Sequence, residues 1–181
     1  PLKMKDTGFA VPKNKWNRVS SVYTTKNGKL ALFDESVFDE KAPNNKPEWW
    51  KRNPDKIALG GAGLISTAID YALFLQMLVN GGELDGKRIL GRKTVNMISR
   101  GIHQSNPESS TASGLSVSVV TNSEKHLHPE SQGSFNGGGY FYTSFWVDPK
   151  EKFIGILLCQ INPVNSQLAG NFKLMGYSAL K

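Results

Sequence analysis

The run Phe135-Asn136-Gly137-Gly138-Gly139-Tyr140-Phe141-Tyr142-Thr143-Ser144-Phe145-Trp146-Val147, then Asp148-Pro149-Lys150-Glu151-Lys152, then Phe153-Ile154-Gly155-Ile156-Leu157-Leu158-Cys159-Gln160, decides the fold. Two segments rich in aromatic and β-branched residues flank a connection whose Pro and charges suit a tight turn, so the run reads as an antiparallel hairpin with strands over 135–147 and 153–160. Upstream, Leu115, Val117 and Val119 alternate with Ser116 and Ser118, the period-2 signature of a half-buried strand. Downstream, Leu168, Phe172, Met175 and Ala179 recur at helical spacing, predicting a closing helix across that sheet.

Further toward the N-terminus the pattern turns helical. The spacing predicts a helix over 67–80: Thr67 can cap its amides, Asp70 stands three residues on as in a capping box, and Gly81-Gly82 supplies a left-handed stop. Ile69, Leu73, Phe74, Leu75, Met77, Leu78 and Val79 leave almost no polar stripe, so this helix should be buried on most sides. Asp85-Gly86 reads as a turn, and a short helix follows over about 93–100. Nearer the start, 19–25 and 30–33 flank Lys26-Asn27-Gly28-Lys29, where Asn-Gly supplies the positive φ angles of a type I′ hairpin turn. Residues 39–56, crowded with Pro, Asn and charge, read as a long loop. The sum is an α+β arrangement, an antiparallel sheet flanked by helices.

Composition agrees with one domain. The chain has 181 residues, 39% of them hydrophobic and 10% aromatic, enough for a sizeable core and too much for disorder. The longest apolar stretch, Phe153 to Cys159, is too short for a transmembrane segment, and the opening at Pro1 without an apolar leader reads as a processed or truncated start. One cysteine, Cys159, excludes an internal disulfide framework; within its apolar strand it reads as an inert buried thiol. The net charge of +7 is weighted toward the N-terminus, but Lys3, Lys5, Lys13, Lys15, Lys26 and Lys29 are scattered as on a solvated face, and no nucleic-acid partner is expected.

Several groups invite a chemical reading. Gly60-Gly61-Ala62-Gly63 before the long helix lacks the Lys-Ser or Lys-Thr of a phosphate-binding loop and reads as a tight turn. His126-x-His128 has only the distant His103 as a further imidazole, so it reads as a surface loop and no metal is expected. Trp49-Trp50-Lys51-Arg52 either pins its loop to the core or stacks on a peptide or glycan. Gly137-Gly138-Gly139, taken alone, marks a twisted or bulged edge strand.

Taken together, Gly60-Gly61-Ala62-Gly63-Leu64-x-Ser66-Thr67-x-x-Asp70, Phe74, Met77-Leu78, Asn80-Gly81-Gly82 and Gly86-Lys87-Arg88-Ile89-Leu90 resemble the serine β-lactamase-related hydrolases: class C β-lactamases, penicillin-binding D-alanyl-D-alanine peptidases and related esterases. Pro1-Leu2-x-Met4-x-Asp6-Thr7-x-Phe9 resembles the segment after that family's catalytic tyrosine, and Phe145-Trp146-Val147-Asp148-Pro149 its paired sheet strands.

The resemblance implies acyl transfer by a Ser-x-x-Lys serine, assisted by a Tyr-x-Asn tyrosine and a strand amide that holds the oxyanion, with no cofactor. It implies that Gly137, Gly138, Gly139 and Tyr140 line the cleft, with Gly137 where the family carries Lys, His or Trp. No Tyr-x-Asn occurs, and the one Ser-x-x-Lys is Ser178-Ala179-Leu180-Lys181 at the C-terminal end, so no catalytic residue is assigned. The expectation is a single C-terminal portion, 1–181, of such a hydrolase, inactive alone; the alternative is a non-catalytic peptide- or glycan-binding module. Its partners would be a small-molecule or peptide substrate of the parent protein and, through an uncovered sheet edge, a second copy. The family resemblance makes a periplasmic or secreted setting plausible.

Overall fold

The computed structural model describes residues 1–33, 63–104, 106–162 and 167–180. Its centre is a five-stranded antiparallel sheet of β5 (Thr111–Ser113), β6 (Ser118–Val120), β7 (Phe135–Gly138), β8 (Thr143–Asp148) and β9 (Phe153–Leu158), ordered as in sequence. Before it come the hairpin β1 (Tyr23–Lys26) and β2 (Lys29–Leu32), helix α1 (Ala68–Val79), the small hairpin β3 (Glu83–Leu84) and β4 (Lys87–Arg88), and helix α2 (Arg92–Ile98); α3 (Leu168–Ser178) follows.

Strand alternation sorts the helices onto opposite faces. Phe135 and Val147 turn toward α1, where they meet Leu75, Met77 and Leu78 together with Val95 and Val119. Trp146, Asp148 and Phe153 turn toward α3, with the Trp146 ring 5.6 Å from Phe172 and Phe153 5.2 Å from Tyr177.

The expected 67–80 helix is present with its cap: Thr67 Oγ1 accepts the Asp70 N–H at 3.2 Å. At its end the Gly82 N–H donates to the Met77 carbonyl at 2.8 Å, and Gly82, at φ 98, lies so close to the Leu90 carbonyl that no side chain fits. Most of α1 is covered, but Ile69 at its start is exposed. The Asn27-Gly28 turn has the expected positive φ angles, 51 and 73, and pairs Lys26 with Lys29.

Three expectations are corrected. The segment 135–147 is two strands, because Tyr142 takes φ 63, its N–H donates to Gly139 O at 3.0 Å and Gly139 N–H donates to Thr143 O at 2.9 Å, folding β7 back on β8. Residues 115–117 are the turn between β5 and β6, with Ser116 at φ 63, so the Ser/Val alternation is strand only from Ser118 onward. On α3, Leu168 and Met175 face solvent while Phe172, Lys173 and Tyr177 meet the sheet side. The loop expected over 39–56 lies outside the described residues.

Candidate functional site

The glycine run is built by register. β7 pairs with β6 only through Phe135 and Asn136, whereas its pairing with β8 continues through Gly137 opposite Phe145 and Gly138 opposite Ser144. Hydrogen-bonded and non-hydrogen-bonded pairs alternate along an antiparallel ladder. With the Gly139 N–H on Thr143 O, Gly137 bonds toward β8, and Gly138 directs its N–H and C=O to the edge that β6 has left. A groove of about 870 Å³ opens there, with Gly114 and Ser116 on its far side. Tyr140 lies in the exposed turn that follows β7 and also lines this groove; its carbonyl accepts Asn162 Nδ2 at 2.8 Å.

On the α1 face of the same hairpin lies a second cavity of about 510 Å³, lined by Phe145, Tyr71, Gly138, Ser66 and the N-terminal segment. Burial raises the Tyr71 phenol above its ordinary value and keeps it neutral. At the cavity wall Asp6 binds both Lys15 and Arg18, Arg18 at 2.9 Å; the Arg18 and then the Lys15 hydrogen bond draw its carboxyl down to about 2. Buried Asp70, expected to complete a capping box, does not reach back along its own helix. Its Oδ2 accepts the Asp6 N–H at 2.7 Å and the Thr7 hydroxyl at 2.8 Å, tying residues 6–7 to the start of α1.

The other sequence candidates are dispersed. Ser178 donates to the Leu174 carbonyl at 2.8 Å, one turn back on its own helix, and Lys181 lies outside the described residues. His126 and His128 lie on a largely exposed loop, as expected; His128 is exposed, whereas the His126 side chain turns inward, its Nδ1 meeting Ser110 Oγ at 2.9 Å and its Nε2 meeting Glu130 Oε2 at 3.2 Å. Cys159 is half-buried rather than enclosed. Among the described residues no three His, Cys, Asp or Glu side chains gather as a metal site. Trp49, Trp50 and Gly60 to Ala62 lie outside the described residues.

Two buried carboxylates escaped the sequence reading. Glu130, its side chain fully enclosed, binds Lys173 as well as His126. Asp148 accepts the Ser131 N–H at 2.9 Å, the Tyr177 hydroxyl at 2.8 Å and the Lys150 and Glu151 N–H groups. Burial alone would raise the Asp148 carboxyl, but these donors outweigh it and hold it below the usual range. The Asp-Pro-Lys-Glu turn was the available signal for Asp148; nothing in sequence marks Glu130 as internal.

The family described as Beta-lactamase matches residues 1–178. Protein Rv1367c of Mycobacterium tuberculosis is 29% identical over 176 residues, covering 90% of this chain and 41% of that protein; the chain thus spans less than half of this curated relative. Among solved structures, EstCE1, a hydrolase with promiscuous acyltransferase activity, superposes with TM-score 0.76 at 18% identity, over 99% of this chain and 47% of its own. Simvastatin synthase (LovD) from Aspergillus terreus gives 0.73 at 16%, over 98% and 46%. A penicillin-binding protein homologue from Caulobacter crescentus gives 0.62 at 15%, over 97% and 48%. No helix among the described residues is long and apolar enough to cross a membrane.

Proposed function

The chain belongs to the beta-lactamase family of hydrolases, and on that premise we propose that residues 1–181 form one C-terminal portion of a serine hydrolase, with Gly137, Gly138, Gly139 and Tyr140 lining its acyl-transfer cleft. The observation that carries this reading is the edge of β7. It parts from β6 after Asn136 while still paired to β8, so the Gly138 N–H is turned toward an open groove. An amide so placed is suited to an oxyanion, and the absence of Cβ atoms lets an acyl group lie against the strand.

The nucleophile and its proton-transfer partners come from outside this chain, since Ser178 is a helix-end hydroxyl and no Tyr-x-Asn is present. The coverage of 41% to 48% in the relatives supports this. With no cation at Gly137, the cleft favours neutral esters or amides over carboxylate-bearing β-lactams; the acyltransferase activity named for EstCE1 points the same way. The chain by itself turns no substrate over. Its outer strand β9, paired only to β8 among the described residues, offers an edge for self-association.

The test is to incubate the isolated chain with a chromogenic cephalosporin, a short-chain aryl ester and a fluorophosphonate probe, and to repeat the assay on the complete reading frame. No turnover and no labelled serine are expected from the chain, with ester hydrolysis from the complete protein. Turnover or stoichiometric labelling by the chain, or a complete protein that binds ester without hydrolysing it, overturns the proposal.

A further inference from the structure

Gly137 stands directly opposite Phe145 in the β7–β8 register, and the Phe145 ring leans across it. A Cβ on Gly137 would lie 2.8 Å from Phe145 Cε1 and 3.0 Å from Cζ, closer than carbon atoms pack. The ring is backed from α1: Tyr71 meets it edge-on at 5.3 Å between centroids, and Phe74 lies 5.8 Å behind Tyr71. A Cβ on Gly138 would lie 2.9 Å from the Thr143 carbonyl, and one on Gly139 would strike the Thr143 hydroxyl. The three glycines are therefore held bare by their own hairpin partner.

We infer that Phe145 is a specificity-determining residue: by filling the space that a side chain at position 137 would need, it keeps charge off the cleft strand and gives the cavity an aromatic wall that takes neutral aryl or branched acyl groups. This rests on the reading that the glycine strand lines the cleft. The same 510 Å³ cavity is lined by Phe145, Tyr71 and Gly138, and its volume falls in the range of small-molecule sites. Tyr71 adds a half-buried phenol, whose pKa burial raises further above its ordinary value. At the cavity's N-terminal wall Lys15 and Arg18 share the single carboxylate of Asp6, and Lys5 lines it as well, so the neutral wall is the one formed by Phe145 and Tyr71. A side chain at position 137 meets the Phe145 ring, which Tyr71 backs, so introducing a cation there requires the ring to move or shrink.

Two measurements on the 181-residue chain test this. In the first, Gly137→Ala is made in the presence of Phe145 and again with Phe145→Ala, and thermal unfolding is followed. With Phe145 in place the Tm should fall by about 4 °C or more; with Ala at 145 the loss should be less than half as large. Equal losses in the two backgrounds mean that the ring does not guard position 137, and the inference fails.

The second measurement uses 4-(trifluoromethyl)benzoate and its methyl ester, with binding read by fluorine NMR. The ester should bind more tightly than the acid, Phe145→Leu should weaken ester binding about fivefold while preserving the fold, and Gly137→Lys combined with Phe145→Ala should shift the ester-to-acid ratio about tenfold toward the acid. Phe145→Leu keeps the test decisive should the double variant not fold. Binding of neither probe, equal binding of both, or indifference to Phe145→Leu overturns the inference. A chain that discriminates the probes although the complete protein lacks turnover sinks the hydrolase reading alone; an active complete protein whose preference ignores residue 145 sinks this one alone.

Discussion

The two faces of the sheet are closed in opposite ways. On the α1 face, Leu75, Met77 and Leu78 are buried against Phe135 and Val147, an apolar contact whose stabilisation scales with area removed from water. On the α3 face the helix has no buried residue of its own. It is held by two side chains that reach inward to enclosed carboxylates, Lys173 to Glu130 and Tyr177 to Asp148, with aromatic edges between them. The contrast teaches that this sheet is sealed by non-directional burial on one side and by a few directional bonds on the other. The first tolerates adjustment; the second depends on each partner.

The sharpest way to break the contrast is Lys173→Met. Removing the ammonium leaves the enclosed Glu130 with only His126 of its two partners, and loss of one partner of a buried pair costs about 4 kcal/mol. Urea unfolding should show that loss, and hydrogen exchange should show α3 losing protection before α1; a variant as stable as the wild type would mean that α3 is held by its rings alone. A smaller effect is expected from Leu75→Ala, about 3 kcal/mol for a fully buried leucine, with protection lost across α1 and β8 together. Selective loosening of α3 in that variant would contradict the division of the two faces.

The smallest effect is a pH dependence confined to the α3 side. Asp148 has a lowered pKa in the folded chain, so its contribution is present above the ordinary value of 3.8 and is lost as pH falls through the folded value. Tyr177 has a raised pKa, caused by burial and by donation to Asp148, so its contribution is present below 10.0 and lost as pH rises beyond it. Unfolding of the wild type and of Tyr177→Phe, compared from pH 7 to 3, should give stabilities that converge as Asp148 protonates. A constant gap between the two curves would show that the hydroxyl does not act through that carboxylate.

The apolar face was the readable one. Helix α1 announces itself through Thr67, its apolar run and Gly81-Gly82, each a local signal with a local cause, and Asn27-Gly28 likewise dictates its turn. The α3 face was not readable, because Glu130, Lys173 and Tyr177 have the composition of surface residues and are turned inward only by tertiary partners. Leu168 and Met175 then look like the buried stripe when they are exposed. For the candidate site, position in the hairpin was legible but its fold-back was not: Gly139 to Tyr142 sits among aromatic residues that extend a strand pattern, and only the φ of Tyr142 reveals the turn. Asp70 illustrates the same limit, since its spacing from Thr67 suits a cap while its carboxylate serves a segment 64 residues away.

One contact bears on how the chain assembles. Tyr23 donates its N–H to Gln160 O at 2.8 Å and accepts the Asn162 N–H at 3.0 Å, so β1 is joined to the chain just beyond β9. The partners are well over a hundred residues apart in sequence, and closing so long a loop in an unstructured chain costs about 4 kcal/mol of entropy. The β7–β8 turn needs only a few residues and α1 none from elsewhere. Hairpins and helix rest on local contacts, whereas the join of β1 to residues 160–162 is long-range, the kind of contact that slows folding. This one contact thus ties the start of the chain to its far end, a closure that no local sequence signal announces.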